Sequence, residues 1–313
     1  MNPTKITHVA AAVLQRPDGQ FLLAQRPVGK VYAGFWEFSG GKVEVGETPY
    51  QALCRELHEE LGITVTTAYP WLIQTFNYPH ATVKLHFFRI TAWQGEPHGC
   101  ENQQLSWQKL PHLTVAPLLP ANTPVLRALA LPPVYAISHA AALGYEEWMR
   151  RLERALQNGL RLLQVREKQM SRDELGAFTH EVVQLAHQYD AKVLLNGEAK
   201  LAELAGADGI HLSETQLHTC TQRPDFAYCA ASCHSAESLQ RAGELGLDFA
   251  LLSPVLPTLS HPNTPHLGWE KFAQLRAEAT LPVFALGGLT HADLPLAQQH
   301  GAHGIALLRQ AWE

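Results

Sequence analysis

The sequence is short of three features that would each point to a particular environment or partner. Its five cysteines include no Cys-x-x-Cys pair, so reduced thiols in the cytoplasm are the simplest interpretation. Positive charge is not in excess, because 24 Lys and Arg stand against 29 Asp and Glu, and the net charge of −5 does not favour a nucleic acid duplex or an acidic membrane. The apolar run "HVAAAVL" is too short to span a membrane and lacks a cleavage site, so it predicts a strand.

The length of 313 residues suggests about two domains, and the pattern changes near residue 131. Before it, "THVAAAVLQ" and "FLLAQR" flank the turn Pro17-Asp18-Gly19 and are predicted to pair as a hairpin. A helix, further strands and a last helix near "NTPVLRALA" follow. The prolines at 132 and 133 suit a short stiff linker. We therefore expect domains at 1–131 and 134–313.

The second half alternates short apolar runs with amphipathic segments of helical length. Eight such units predict an α/β fold, a closed (β/α)₈ barrel of parallel strands. Its chain of about 180 residues is short for a fold of about 250. We therefore expect a truncated last helix, and a cover for that face from the first domain or another subunit. The eight runs are "VYAIS", "RLLQVRE", "AKVLLNG", "DGIHLS", "FAYCAAS", "FALLSPV", "LPVFALGG" and "HGIALL".

One helix of the first half carries an unusual group of acids. Thr48 as N-cap, Gln51 in a capping box and Gly62 as a stop signal predict a helix over 49–61. Its core face is expected to comprise Tyr50, Leu53, Cys54, Leu57 and Leu61.

Three carboxylates share the adjacent face of this helix, where like charges repel one another: Glu56, Glu59 and Glu60. A solvated acidic face is the ordinary alternative. Carboxylates that border a core need cations, and oxygen ligands of this kind suit Mg²⁺ or Mn²⁺. Arg55 is placed to orient one of the carboxylates by a charge-assisted hydrogen bond.

The segment resembles the Nudix box, G-x5-E-x7-R-E-U-x-E-E-x-G-U, where U is an aliphatic residue. The match covers every fixed position of the box, and these are Gly41, Glu47, Arg55, Glu56, Leu57, Glu59, Glu60, Gly62 and Ile63. The resemblance implies an α/β/α sandwich with a mixed sheet and a metal-dependent hydrolase. The metal ligands that it implies are the Gly40 carbonyl with Glu56, Glu59 and Glu60, joined by Glu101 when substrate binds.

The resemblance extends over residues 1 to about 130, to the MutT type that hydrolyses 8-oxo-dGTP and related nucleoside triphosphates. It implies that Arg26 meets a phosphate and that Asn122, in "PANTPV", reads a purine edge. "WEFSGGK" is similar to the family's "EFPGGK", with serine for proline. The general base is either Glu56 or Glu101. The remaining substrate-binding residues implied are Glu37, Phe38, Ser39, Gly40 and Tyr78.

Residues 133–313 resemble thiamin phosphate synthase and its relative TenI, a thiazole tautomerase. The motifs "LLQVREK", "DGIHL" and "LGG" carry this resemblance. It implies a site for a small phosphorylated thiazole, with a phosphate near the double glycine. The residues implied for that site are Gln164, Arg166, Lys168, Asn196, Gly287 and Gly288.

The departures from the synthase pattern fall on its metal ligands. Gly197 and Gln216 occupy the places of two aspartates, and Arg309 occupies the place of a serine. The pattern Asn196-Gly197 together with His234 is instead similar to TenI. Tautomerase-like chemistry through His234, a barrel that binds a phosphate, and a barrel that only packs all remain open. For the whole protein, a thiamin-pathway enzyme whose first half clears a pathway diphosphate is the alternative to a nucleotide-pool hydrolase with an accessory barrel.

Overall fold

The computed structural model describes residues 6–78, 81–258 and 265–313. The chain divides into two compact units, Met1–Ala130 and Leu131–Glu313, each with its own core. Within the described residues, no helix is both long and apolar enough to cross a membrane.

The first unit contains a mixed four-stranded sheet in the order β4-β1-β6-β5 and an antiparallel sheet in the order β3-β2-β7. In the mixed sheet β1 runs parallel to β6, while β4 and β5 are antiparallel to their neighbours. Its elements are β1 (Ile6–Leu14), β2 (Phe21–Gln25), β3 (Trp36–Glu37), β4 (Gly40–Lys42), α1 (Pro49–Leu61), β5 (Thr64–Tyr78), β6 (Ala81–Gln94), β7 (Leu105–Gln108), a 3₁₀ turn (Pro120–Asn122) and α2 (Thr123–Leu129).

The predicted pairing of β1 with β2 is wrong apart from one bridge between Gln15 and Phe21. Both edges of β1 are taken by β4 and β6, so β2 pairs in the other sheet with β3 and β7. The residues from Ala10 to Leu14 are all buried, and they alternate between two cores. A strand that is buried on both faces has a continuous apolar sequence whichever strand it pairs with. The apolar run of β1 therefore did not identify its neighbours in the sheet.

Helix α1 runs over Pro49–Leu61, as the capping residues predict. Thr48 and Gln51 form the capping box, and Gly62 ends the helix with φ 66°. Leu53, Leu57 and Leu61 are buried against the mixed sheet. Tyr50 is 44% exposed, so its assignment to the core face is wrong.

The second unit is a closed eight-stranded parallel barrel, which confirms the predicted fold. Its strands are β8 (Val134–Ile137), β9 (Leu162–Val165), β10 (Lys192–Leu195), β11 (Gly209–Leu212), β12 (Tyr228–Cys233), β13 (Phe249–Leu252), β14 (Val283–Leu286) and β15 (Gly304–Leu307). Its helices are α3 (Ala140–Leu143), α4 (Tyr145–Gln157), α5 (Arg172–His187), α6 (Ala199–Ala205), α7 (Glu214–Thr219), α8 (Ala236–Glu244), α9 (Gly268–Arg276) and α10 (Leu294–Gln299), with a 3₁₀ turn at His291–Asp293.

A single 3₁₀ turn, Gln310–Trp312, stands where a full last helix would follow β15. Trp312 is buried, and its ring centroid lies 5.1 Å from that of Trp148 on α4. Its indole Nε1 donates to the carbonyl of Ile137 at 2.8 Å. The turn therefore covers part of that face within the second unit itself.

Candidate active site

A cleft of about 800 Å³ opens in the first unit beside β1, β4 and β6. Apolar side chains of two parallel strands, β1 and β6, form one wall, and α1 contributes carboxylates. Eight residues singled out from the sequence line this cleft: Arg26, Glu37, Phe38, Gly40, Gly41, Glu56, Glu60 and Asn122. Folding thus gathers residues that lie almost 100 positions apart in the chain.

Strand β4 contains two glycines, so its backbone can contact β1 and the Glu56 side chain of α1 directly. Gly40 has φ 149°, and a β-carbon there would come 2.0 Å from the carbonyl oxygen of Ala10. A β-carbon on Gly41 would come 2.0 Å from Cδ of Glu56. Gly40 N donates to Oε2 of Glu60 at 3.3 Å. The strand and the acidic face of α1 are therefore in direct contact.

Arg55 on α1 binds acids of this helix and also Glu47, which lies just before it. Its Nε and Nη2 donate to the two carboxylate oxygens of Glu47, each at 2.9 Å, and its Nη1 donates to Glu56 at 2.8 Å. The hydrogen bond from Arg55 is the main cause that lowers the pKa of Glu47 to about 2. Glu59 is 60% exposed and has a longer contact with Arg55, at 3.4 Å. Arg55 therefore fixes the Glu56 carboxylate at the cleft.

Glu60 lies in a largely buried environment close to other acids. Burial raises its pKa to about 7; Lys30 opposes this rise, whereas Glu56 and Glu101 add to it. The described residues contain no group of three or more His, Cys, Asp or Glu placed to hold a metal. Mg²⁺ commonly binds through one or two carboxylates, waters and substrate phosphates, so Glu56 and Glu60 with the Gly40 carbonyl fit it. Glu101 is ion-paired with Lys30 at 2.6 Å.

The other residues that the sequence predicts to bind substrate take varied positions. Arg26 Nη1 donates to both carboxylate oxygens of Glu37, each at 2.6 Å, so these two residues hold each other. Asn122 is buried, and its Nδ2 donates to the Trp36 carbonyl at 3.1 Å. Ser39 is buried beside the cleft, and its hydroxyl has no hydrogen-bond partner among the described residues. The backbone of Tyr78 ends β5, and its side chain lies outside the described residues.

Sequence reasoning missed Lys30, which lines the cleft from the loop between β2 and β3. A lysine in a loop is normally solvated, and no motif marks this one. Its position beside the acids of α1 depends on pairing between distant strands, so the sequence carried no local signal for it.

The barrel interior holds a buried polar network that includes a second missed residue, His211. Gln164 donates to the Tyr135 hydroxyl at 3.2 Å, and that hydroxyl lies 3.2 Å from His211 Nδ1. His211 Nε2 lies 3.0 Å from the hydroxyl of Ser232. Burial, with a smaller effect of Arg166, lowers the pKa of His211 to about 3, so the imidazole is neutral.

At the carboxyl ends of the barrel strands, a direct hydrogen bond joins the two positions where the sequence departs from the metal ligands of the synthase pattern. Gln216 Nε2 donates to the carbonyl of Gly197 at 3.1 Å. Asn196 Nδ2 donates to the His211 carbonyl at 2.9 Å. Arg166 is half-buried, which lowers the pKa of its guanidinium, and Lys168 is exposed.

His234 is exposed just after β12, and its Nδ1 lies 2.8 Å from the Ser253 carbonyl. A carbonyl only accepts, so Nδ1 carries the proton and Nε2 is the acceptor of the neutral ring. β-Carbons on Gly287 and Gly288 would approach Pro254 Cβ within 2.8 Å and the Pro257 carbonyl within 2.4 Å. Only glycine allows this close backbone turn after β14.

Two family models match the chain, the NUDIX domain over residues 5–129 and thiamine monophosphate synthase (TMP-TENI) over residues 134–311. The first part is 40% identical over 125 residues to 8-oxo-dGTP diphosphatase of Haemophilus influenzae, a match that covers 40% of this chain and 92% of that protein. It is also 40% identical over 124 residues to CTP pyrophosphohydrolase of Escherichia coli, which covers 40% and 91%. The second part is 35% identical over 181 residues to putative thiamine-phosphate synthase 2 of Aquifex aeolicus, which covers 57% and 96%.

Proposed function

The chain belongs to the NUDIX family through its first part and to the thiamine monophosphate synthase family through its second, and from this premise we propose that it releases pyrophosphate from 8-oxo-dGTP with Mg²⁺. The first unit is a Nudix hydrolase of the MutT type, a class that generally depends on a divalent metal. The cleft supports the proposal because carboxylates and an apolar wall with a buried amide line one cavity. The carboxylates suit a metal-bound triphosphate, and the apolar wall with its buried amide suits a nucleobase.

Pyrophosphate release requires neutralised phosphate charge, an activated water and a base for its proton. The bound metal would supply charge neutralisation and lower the pKa of a water. Glu56 and Glu60 are proposed to hold it with the Gly40 carbonyl, while Arg55 keeps Glu56 in place. Glu56 or Glu101 would accept the proton of the water. Arg26 would meet a phosphate after it leaves Glu37.

Asn122 gives a physical basis for preferring an oxidised purine. Because the Trp36 carbonyl only accepts, Nδ2 of Asn122 must point to it, which fixes the orientation of the amide. The acceptor Oδ1 and one N–H remain for a base. An 8-oxo purine carries a donor at N7, where guanine carries an acceptor. Oδ1 facing N7 would therefore favour the oxidised base and repel guanine.

CTP is a second candidate substrate, favoured by the equal identity of the first part to a CTP pyrophosphohydrolase. An assay of substrate preference distinguishes these proposals. The full chain and Mg²⁺ are incubated with 8-oxo-dGTP, dGTP, CTP and thiamin-pathway diphosphates in turn. We expect the highest kcat/KM for 8-oxo-dGTP, with pyrophosphate as product. A higher value for CTP or for a thiamin-pathway diphosphate would replace the proposal with that substrate.

For the barrel we propose a small phosphorylated thiazole as ligand, with the fixed tautomer of His234 favouring proton transfer at Nε2. Gly287 and Gly288 would leave the backbone N–H groups accessible to a phosphate. A barrel that binds phosphate without catalysis and one that only packs are the alternatives. Calorimetric titration of the full chain with a thiazole phosphate tests for binding. Measurable binding excludes the alternative of a barrel that only packs.

A further inference from the structure

Lys30 and Glu101 join two loops beside the cleft. Lys30 follows β2 and Glu101 follows β6, and Nζ and Oε2 lie 2.6 Å apart although the residues are 71 positions apart. Both side chains are about half exposed, at 46% and 47%. Neither is placed there by regular secondary structure, so the ion pair itself sets the direction of the two side chains.

The backbone of the Glu101 loop is anchored independently of this ion pair. Cys100 N and Gln103 Nε2 both donate to the carbonyl of Glu60, at 3.0 and 2.8 Å, and Glu101 N donates to Gln103 Oε1 at 2.8 Å. The loop is thus attached to the last turn of α1, the helix that carries Glu56 and Glu60. A change of side-chain rotamer alone can redirect the Glu101 carboxylate while its backbone stays in place.

Lys30 also lies within electrostatic reach of the cleft acids. Its ammonium interacts with Glu60 as well as Glu101, and it lines the same cavity as Glu56. The neighbouring cation Arg26 is already bound by Glu37. Lys30 therefore supplies positive charge at the acidic end of the cleft before any substrate arrives.

We propose that Lys30 is an internal counter-ion that positions Glu101. In the free enzyme its ammonium keeps the Glu101 carboxylate in an ion pair, so this carboxylate is not available to bind a cation together with Glu56 and Glu60. On entry of a metal–nucleotide complex, the Lys30 ammonium would pair with a phosphate oxygen instead, and Glu101 would join Glu56 and Glu60 as a residue that holds the metal. This inference rests on the proposed function. A half-exposed ion pair contributes little, so a divalent cation and a triphosphate can displace it.

Mn²⁺ binding to the full chain without nucleotide tests the first half of the proposal, independently of activity. Lys30→Met should bind Mn²⁺ about fivefold more tightly, because Glu101, no longer held in an ion pair worth about 1 kcal/mol, is available to the cation even without nucleotide. Most of that gain should disappear in the Glu101→Gln background, and the remainder reports the loss of the Lys30 charge beside Glu60. Lys109→Met, which changes an exposed lysine outside the cleft lining, is the matched control. Unchanged Mn²⁺ affinity, or an equal gain in both backgrounds, would overturn the positioning role.

Steady-state kinetics test the second half. Lys30→Met should raise KM for the best triphosphate about tenfold, as expected for a lost charge-assisted hydrogen bond, with a smaller change in kcat. Lys30→Arg should restore KM, since a guanidinium also binds phosphate. An unchanged KM in Lys30→Met contradicts the transfer to phosphate. If the wild type hydrolyses no nucleotide, the proposed function fails, and the Mn²⁺ experiment still decides whether Lys30 controls Glu101.

Discussion

Gly41 lies directly against the carboxylate of Glu56: a β-carbon at position 41 would stand 2.0 Å from Cδ and 2.2 Å from each carboxylate oxygen of Glu56. The same carboxylate receives Nη1 of Arg55 at 2.8 Å. Glu56 is therefore confined between a bare backbone and a guanidinium. This contact explains why the Nudix box begins with a glycine 15 residues before the acid.

Gly41→Ala should displace Glu56 from the cleft and lower kcat/KM about 100-fold, the loss expected for a catalytic group misplaced by about 1 Å. The fold should remain, since the new methyl group meets a side chain rather than backbone. Steady-state hydrolysis with circular dichroism checks both points. Gly46→Ala is the control, because Gly46 has φ 89° and open space around it, so it tests backbone strain without the carboxylate contact. Equal losses in both variants would remove the steric explanation.

Glu56→Gln and Glu60→Gln should each lower Mg²⁺-dependent pyrophosphate release by orders of magnitude, because each removes a charge proposed to hold the metal. Glu59→Gln should lose less, since Glu59 is 60% exposed and does not line the cleft. Turnover at saturating Mg²⁺ is the measurement. Near-normal rates in the Glu56 and Glu60 variants would contradict the site assignment.

Asn122→Ala should reduce the preference for 8-oxo-dGTP over dGTP by about tenfold or more, since a buried hydrogen-bonding partner is worth about 1–3 kcal/mol. The ratio of the two kcat/KM values measures this preference. The kcat/KM for dGTP is the control for a general loss of structure. It should change less than the kcat/KM for 8-oxo-dGTP. A wild type with equal efficiency on both nucleotides rules the preference out.

Features fixed by local chemistry were predictable from the sequence, and features fixed by distant pairing were not. The bounds of α1 follow from Thr48, Gln51 and Gly62, whose capping interactions span only a few residues. The eight barrel strands follow from their continuous apolar runs. The wrong pairing of β1 with β2, and the positions of Lys30 and His211, depend on contacts between strands far apart in the chain, for which one sequence carries no local signal.

His211 should make the stability of the barrel depend on pH. Its pKa is near 6.5 in an unfolded chain and is lowered to about 3 in the fold, so between these values the unfolded chain binds more protons. Stability should therefore fall as the pH falls through this window, by at most about 1.4 kcal/mol per pH unit. Urea unfolding followed by tryptophan fluorescence measures it. His211→Gln should flatten this dependence, with the exposed His218→Gln as control; an unchanged slope in His211→Gln would contradict the assignment.

The barrel should not form thiamin phosphate. Gly197 and Gln216 replace the two metal-binding aspartates of the synthase pattern, and they are joined to each other by a hydrogen bond of 3.1 Å. A departing pyrophosphate would thus lack the charge neutralisation that a metal provides. Robust synthesis of thiamin phosphate by the purified chain would show that another metal site exists.

If His234 transfers protons, the barrel should isomerise a thiazole carboxylate phosphate, and His234→Ala should abolish this activity with little change in ligand affinity. The physical reason is that the Ser253 carbonyl holds the proton on Nδ1, so Nε2 is the base, while binding is proposed to depend on the backbone around Gly287. Product formation followed by NMR, with calorimetry for affinity, separates the two effects. His139→Ala, which changes another histidine of the same unit, is the control. Ligand binding without isomerisation by the wild type would leave the barrel a phosphate-binding module, and activity retained in His234→Ala would assign the proton transfer to another residue.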